Sequence, residues 1–138
     1  MNDDFVPFEL ADKLKEKGFR EECLCHYIGE DLVYNIESPI ANNQLWFSHN
    51  KFDNIWHRDN IDAPTISQVL KWLRKEKKIH IEIFLYNGKY GYLINSITQI
   101  CEDDLFHECL NEDTVNEEYT TYEQAAIAGI SYVLDNLI

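Results

Sequence analysis

"IHIEIFLYNGKYGYLINSI", residues 79–97, decides how the chain is read. At its centre, Asn87-Gly88 is the strongest two-residue turn signal, because both residues accept the positive φ that a type I′ turn requires. A two-residue loop fixes the register: Tyr86 faces Lys89, Leu85 faces Tyr90, Phe84 faces Gly91, Ile83 faces Tyr92 and Ile81 faces Ile94. Side chains alternate across a strand. One face therefore collects Ile79, Ile81, Ile83, Leu85, Tyr90, Tyr92 and Ile94, and is expected to be the core face. The other collects His80, Glu82, Phe84, Tyr86, Lys89, Gly91, Leu93 and Asn95, a mixed face of the kind an antiparallel sheet turns to water.

Outward from the hairpin, "APTISQVLKWLRKEKK" precedes it. Thr65 and Gln68 make a capping-box pattern, and Ile66, Val69, Leu70 and Leu73 follow at helical spacing. The basic end from Arg74 to Lys78 suits the negative pole of a helix, so residues 66–77 are expected to be helical. The N-terminal part repeats the theme. Leu10, Ala11 and Leu14 share a face, Gly18 is a stop signal, and two strands flank a turn at Gly29. Both halves thus read as helix and hairpin, the arrangement of a pseudo-repeat. Residues 36–62 between them hold Trp46, Phe47, Phe52, Ile55 and Trp56, too many large apolar groups for a linker, and are expected to be an ordered Trp-containing excursion. Residues 101–119 read as an acidic loop. A last helix starts at a second capping box, Thr121 and Gln124, with Ala126, Ile130, Val133, Leu134 and Leu137 as its apolar stripe. Ala125, Ala128, Gly129 and Ser131 are small enough for close approach to another element.

The sum is one α+β domain over residues 1–138, in the order α-β-β-(excursion)-α-β-β-α. The expectation is a four-stranded, mostly antiparallel sheet with the helices on one face. The chain is large enough to bury a core without disulfides or metals. It carries no apolar run long enough to span a bilayer and no secretory signal pattern at its N-terminus, so a cytoplasmic protein with reduced thiols is expected.

Net charge is −13, which argues against general affinity for nucleic acid or anionic membrane. Its distribution says more. Residues 1–89 carry fifteen acids against twelve Lys and Arg, and residues 90–138 carry ten acids and no Lys or Arg, so the two parts hold −3 and −10.

"APTISQVLKWLRKEKKIHIEI" and the final "TYEQA" resemble phrases in small uncharacterised proteins of Bacteroidetes genomes and their phages or prophages. The resemblance covers residues 63–83 and 120–138 and leaves the middle excursion out. Its residues are a cap, a core stripe and a basic helix end, so it implies a mobile-element setting and carries over no chemistry.

Candidate chemistry is thin. Cys23, Cys25, His26, Cys101, His107 and Cys109 are metal-ligand types, but C-x-C-H and C-x₅-H-x-C differ from the C-x₂₋₄-C knuckle that brings two sulfurs onto one zinc. In an extended strand Cys23 and Cys25 lie roughly 6–7 Å apart, so core thiols are the expected role and no metal or other cofactor is assigned. A cysteine nucleophile needs something that lowers its pKa, whereas Cys101 and Cys109 sit among acids. His57-Arg58-Asp59 matches a kinase loop by chance, since the chain has no Gly-rich loop and no Asp-Phe-Gly. His80, Glu82 and Asn95 on the outer hairpin face read as solvated polar groups. Phe84, Tyr86 and Leu93 on that face form an apolar-aromatic patch of the kind that binds protein, unless the excursion covers it.

The expected function is therefore non-enzymatic binding of another, basic protein through an acidic surface. Partner-binding candidates are Glu102, Asp103, Asp104 and Glu108, with Phe84 and Tyr86 as a second set. One alternative is a small-ligand enzyme or binding protein with a pocket at the Trp-rich excursion. The other is a nucleic-acid binder using Lys71, Arg74, Lys75, Lys77 and Lys78, which requires all five on an open face.

Overall fold

The computed structural model describes residues 2–34, 60–101, 104–110 and 118–138. Most of the expected excursion, with Trp46, Trp56 and His57-Arg58-Asp59, lies outside the described residues. The chain divides into two compact units, Met1–Thr65 and Ile66–Ile138.

In the first unit a short 3-10 turn, Asn2–Asp4, leads into helix α1, Phe8–Glu16. Leu10, Ala11 and Leu14 are its buried face, and Gly18 takes φ +93° just beyond its end, a left-handed stop that a side chain would strain. Strands β1, Cys25–Ile28, and β2, Asp31–Tyr34, form the hairpin around Gly29, which has φ +60°. Strand β3, Asn60–Ala63, pairs antiparallel with the other edge of β1, so the sheet order is β2-β1-β3. The N-terminal segment is tied to the end of β3: Val6 N–H donates to Pro64 O (3.1 Å), and Phe5 bridges Thr65. Tyr27 O–H donates to Val6 O (2.6 Å), and its ring meets Phe8 edge-on. The buried phenol thus spends its polar end on a backbone carbonyl, as burial of a tyrosine demands.

In the second unit helix α2, Ile66–Trp72, buries Ile66, Val69, Leu70 and Trp72. It continues as a π-helical turn, Leu73–Lys77, which ends where Lys78 adopts φ +56° and donates its N–H to Leu73 O. Strands β4, Ile79–Tyr86, and β5, Lys89–Cys101, are joined at Asn87-Gly88, with φ +52° and +77° as a primed turn needs. The register is the expected one throughout, from Tyr86↔Lys89 to Ile79↔Ser96. Ile81, Tyr92 and Ile94 are buried and Glu82 is exposed, as the alternation requires; Ile83 is half-buried. Strand β6, Asp104–Cys109, pairs antiparallel with the far half of β5, giving the order β4-β5-β6.

Helix α3, Tyr122–Asn136, lies on the Ile81/Tyr92 face. Its N-terminus is capped as expected, Gln124 N–H donating to Thr121 Oγ1 (3.1 Å). The returning half of the box reaches one residue further back: Thr120 donates through its N–H and its hydroxyl to Gln124 Oε1. Ala125, Ala126, Gly129, Ile130, Val133 and Leu134 are buried. Gly129 is where helix and sheet come closest. A Cβ there would stand 3.0 Å from Ile81 Cγ2 and 3.2 Å from Tyr92 Cγ.

The expected four-stranded sheet is not what forms. Each hairpin instead gains a third strand and closes a separate three-stranded sheet. One added strand comes from the tail of the segment expected to be an excursion, the other from the segment expected to be an acidic loop. The pseudo-repeat stops at helix and hairpin, because β3 joins the first strand of its hairpin whereas β6 joins the second.

Gly129→Val tests the helix–sheet contact. Overpacking a tight core costs about 1–3 kcal/mol, while leaving glycine in a helix recovers at most about 0.5 kcal/mol. The expected outcome is a lower urea midpoint with an unchanged m-value, measured by circular dichroism. An unchanged or higher midpoint contradicts the close approach.

Candidate functional site

The described members of the two sets of partner-binding candidates lie toward opposite ends of the second sheet. Tyr86 flanks the Asn87-Gly88 turn, with Phe84 two residues before it. Tyr86 is 59% exposed and Phe84 half-buried. Asp104 pairs with Cys101 and Glu108 with Ser96, as backbone positions on β6. From Gly91, the partner of Phe84, to Ser96 is about 16 Å along β5. Glu102 and Asp103 lie outside the described residues.

The hairpin tip also exposes Leu85, at 61%, which the alternation assigned to the core. Tyr90, its partner across the hairpin, meets Tyr122 edge-on at 6.5 Å, and Tyr122 opens α3. The helix cover therefore begins over β5 and leaves the end of β4 open.

Residues 118–122 are held to β5 by a two-way bridge. Tyr90 N–H donates to Tyr119 O (2.8 Å), and Tyr119 N–H donates to Tyr90 O (3.1 Å). The Tyr92 ring lies 6.2 Å from Tyr119 and 6.4 Å from Tyr132, so three rings lock strand, strap and helix together. Burial raises the phenol pKa of Tyr92, with Tyr132 and Glu118 adding to it. Tyr119 is raised by burial first, then by Tyr92 and Glu118.

Lys71, Arg74, Lys75, Lys77 and Lys78 are all exposed. Lys78 Nζ donates to Lys75 O (3.1 Å), and Lys77 Nζ stands 5.4 Å from the centre of the buried Trp72 ring. Among the described residues none of the five forms an ion pair. The sheet does bring them to the acidic end. Ile97 N–H donates to Lys78 O (2.9 Å), and Ile97 pairs with His107 on β6. Two strand spacings, about 10 Å, separate that basic turn from β6, close to one screening length at 0.1 M salt.

The thiols follow the core reading. Cys23 and Cys25 are buried and Cys109 is half-buried. Cys23 Sγ donates to Glu21 O (3.5 Å). Burial pushes the Cys23 thiol far up, with Asp62, Cys25 and Glu21 adding to the shift, and burial raises Cys25 as well. An activated nucleophile needs the opposite shift. Asp62, 4% exposed and directly opposite His26 in the β1–β3 register, is the buried charged residue that sequence reasoning missed, because it fell in the expected excursion. Across the hairpin, His80 stands opposite Asn95 and exposed Glu82 opposite Leu93. Among the described residues no three His, Cys, Asp or Glu side chains converge as metal ligands. No helix of the described residues is long and apolar enough to cross a membrane.

These raised pKa values set an alkaline limit. Unfolded, the thiols ionise near 9.0 and the phenols near 10.0, while in the fold both hold their protons to higher pH. Above pH 9 the unfolded state therefore binds fewer protons than the native state, and stability falls as pH rises. Urea midpoints are expected to be level between pH 7 and 8.5 and to drop between pH 9 and 10.5. A midpoint that holds or rises over that upper interval contradicts the burial of these groups.

Comparison with known proteins adds no relative: no family model, no curated protein and no solved structure matches the chain.

Proposed function

We propose that the chain is a non-enzymatic, cytoplasmic protein-binding domain whose acidic C-terminal region takes a basic partner. The observation that carries the reading is the charge distribution. Ten acids follow Lys89 without a Lys or Arg among them. The basic turn can offset at most half of this, since its five cations number half of those acids and none is in an ion pair among the described residues. An uncompensated field of this kind steers a basic partner and gives binding that weakens with salt. The raised pKa values of Cys23 and Cys25 are the opposite of what an activated thiol nucleophile needs. The resemblance to proteins of phage and prophage genomes extends the proposal to its setting, where a host nucleic-acid-binding protein has the required basic surface.

The test is to replace Glu102, Asp103 and Asp104 together by Gln, Asn and Asn. Proteins retained by the immobilised chain at 50 mM salt are compared with those retained at 300 mM. Basic partners captured at low salt and released at high salt are expected, with at least a tenfold loss for the triple variant at an unchanged urea midpoint. Equal retention by variant and parent at both salts overturns the reading.

A further inference from the structure

The order β4-β5-β6 leaves β4 at the edge of its sheet, and the hairpin register says which of its backbone groups face outward. Ile97 N–H bonds to Lys78 O, so 78 and 97 form a hydrogen-bonded pair. Such pairs recur at every second residue, which places His80, Glu82, Phe84 and Tyr86 in the ladder to β5. The N–H and C=O groups of Ile79, Ile81, Ile83 and Leu85 point the other way. Ile79 and Ile81 are buried, whereas Glu82, Leu85 and Tyr86 are exposed and Ile83 and Phe84 half-buried. The accessible edge is therefore residues 82–86, and among the described residues no strand pairs with it. This stretch has none of the devices that close an edge to other chains: no proline, no lysine and no bulge. Its one charged side chain is Glu82.

We propose that this edge receives an extended basic peptide by antiparallel strand addition, the partner segment of the binding function proposed above, on which this inference rests. The N–H and C=O groups of Ile83 and Leu85 supply the main-chain hydrogen bonds. Peptide residues opposite Ile83 and Leu85 project on the same face as those two side chains and are apolar. Their neighbours project on the face of Glu82 and Phe84, where a lysine or arginine meets the Glu82 carboxylate. Strand addition takes affinity from the backbone and specificity from alternate side chains. A net charge of −13 on every copy disfavours a second copy of the chain on this edge and favours a cationic strand.

The probe is a fluorescein-labelled heptapeptide, Lys-Val-Lys-Val-Lys-Val-Lys, read by fluorescence anisotropy with the full chain at 50 mM salt. Two versions are compared with it, one N-methylated on the valines and one on the inner lysines. The valines are the residues that hydrogen-bond to Ile83 and Leu85, so their methylation is expected to weaken binding about tenfold or more, while methylation of the lysines leaves it within about twofold. Leu85→Pro removes an outward N–H and no ladder bond, the one setting in which a strand accepts proline, and is expected to cause a similar loss at an unchanged circular dichroism spectrum. The peptide pair tests the edge on the parent protein even if that variant does not fold. Equal weakening by both methylation patterns, or no binding at all, overturns strand addition. So does a dimer in sedimentation that Leu85→Pro dissociates and the peptide does not. Neutralising Glu102, Asp103 and Asp104 separates the two ideas: binding that survives this while remaining sensitive to valine methylation supports the edge and removes the acidic segment, and the reverse pattern removes the edge.

Discussion

Two positive φ angles, at Asn87 and Gly88, constrain everything else in the second unit. A two-residue turn leaves no freedom of register, and a slip of one residue would send every side chain of β4 to the opposite face. With the register set, Ile81, Tyr92 and Ile94 are delivered to the helix side and Glu82 to water. The same parity decides the backbone. It directs Glu82 and Phe84 into the ladder with β5 and turns the hydrogen-bonding groups of Ile83 and Leu85 outward. A local feature of two residues thus fixes both what the sheet buries and what it offers to another chain.

The helix that covers this sheet depends on the absence of side chains as much as on their presence. Gly129 lets α3 approach to within van der Waals contact of Ile81 and Tyr92. On the same face the Tyr92 ring meets those of Tyr119 and Tyr132. The strap carrying Tyr119 enters as a short bridge to Tyr90 and passes into the cap at Thr121. Cap, strap and helix therefore hold one another, and the helix begins too late to reach Leu85 at the hairpin end.

The hairpin, its turn, the three helices and their buried stripes were legible because each rests on local periodicity: Leu10, Ala11 and Leu14 in one helix, Ala126, Ile130 and Val133 in another. The added strands were not. Asn60-Ile61-Asp62-Ala63 is poor in strand formers and joins β1 through contacts more than thirty residues distant in sequence, which no local pattern encodes. Strand β6 begins at the last residue of Glu102-Asp103-Asp104, whose charges read as a loop. The continuation of α2 as a π turn leaves no mark in the apolar spacing, since Leu73 is buried either way. Of the candidate site, the aromatic set was visible at the tip and the acids in the composition. Their separation along β5 and the exposure of Leu85 were not, because both depend on where the third strand and the last helix attach.

Charge and backbone give the molecule its two offers to a partner: a long-range negative field and a short open strand. The first attracts over roughly a screening length; the second acts only at hydrogen-bond distance and selects for extended backbone. The second reading requires the register set at Asn87-Gly88, and amide hydrogen exchange followed by NMR tests that register most directly. The account predicts alternation along one strand: slow exchange at Glu82 and Phe84, whose N–H groups bond to β5, and fast exchange at Ile83 and Leu85, whose groups face out. Protection at Ile83 and Leu85 with fast exchange at Glu82 and Phe84 would contradict it.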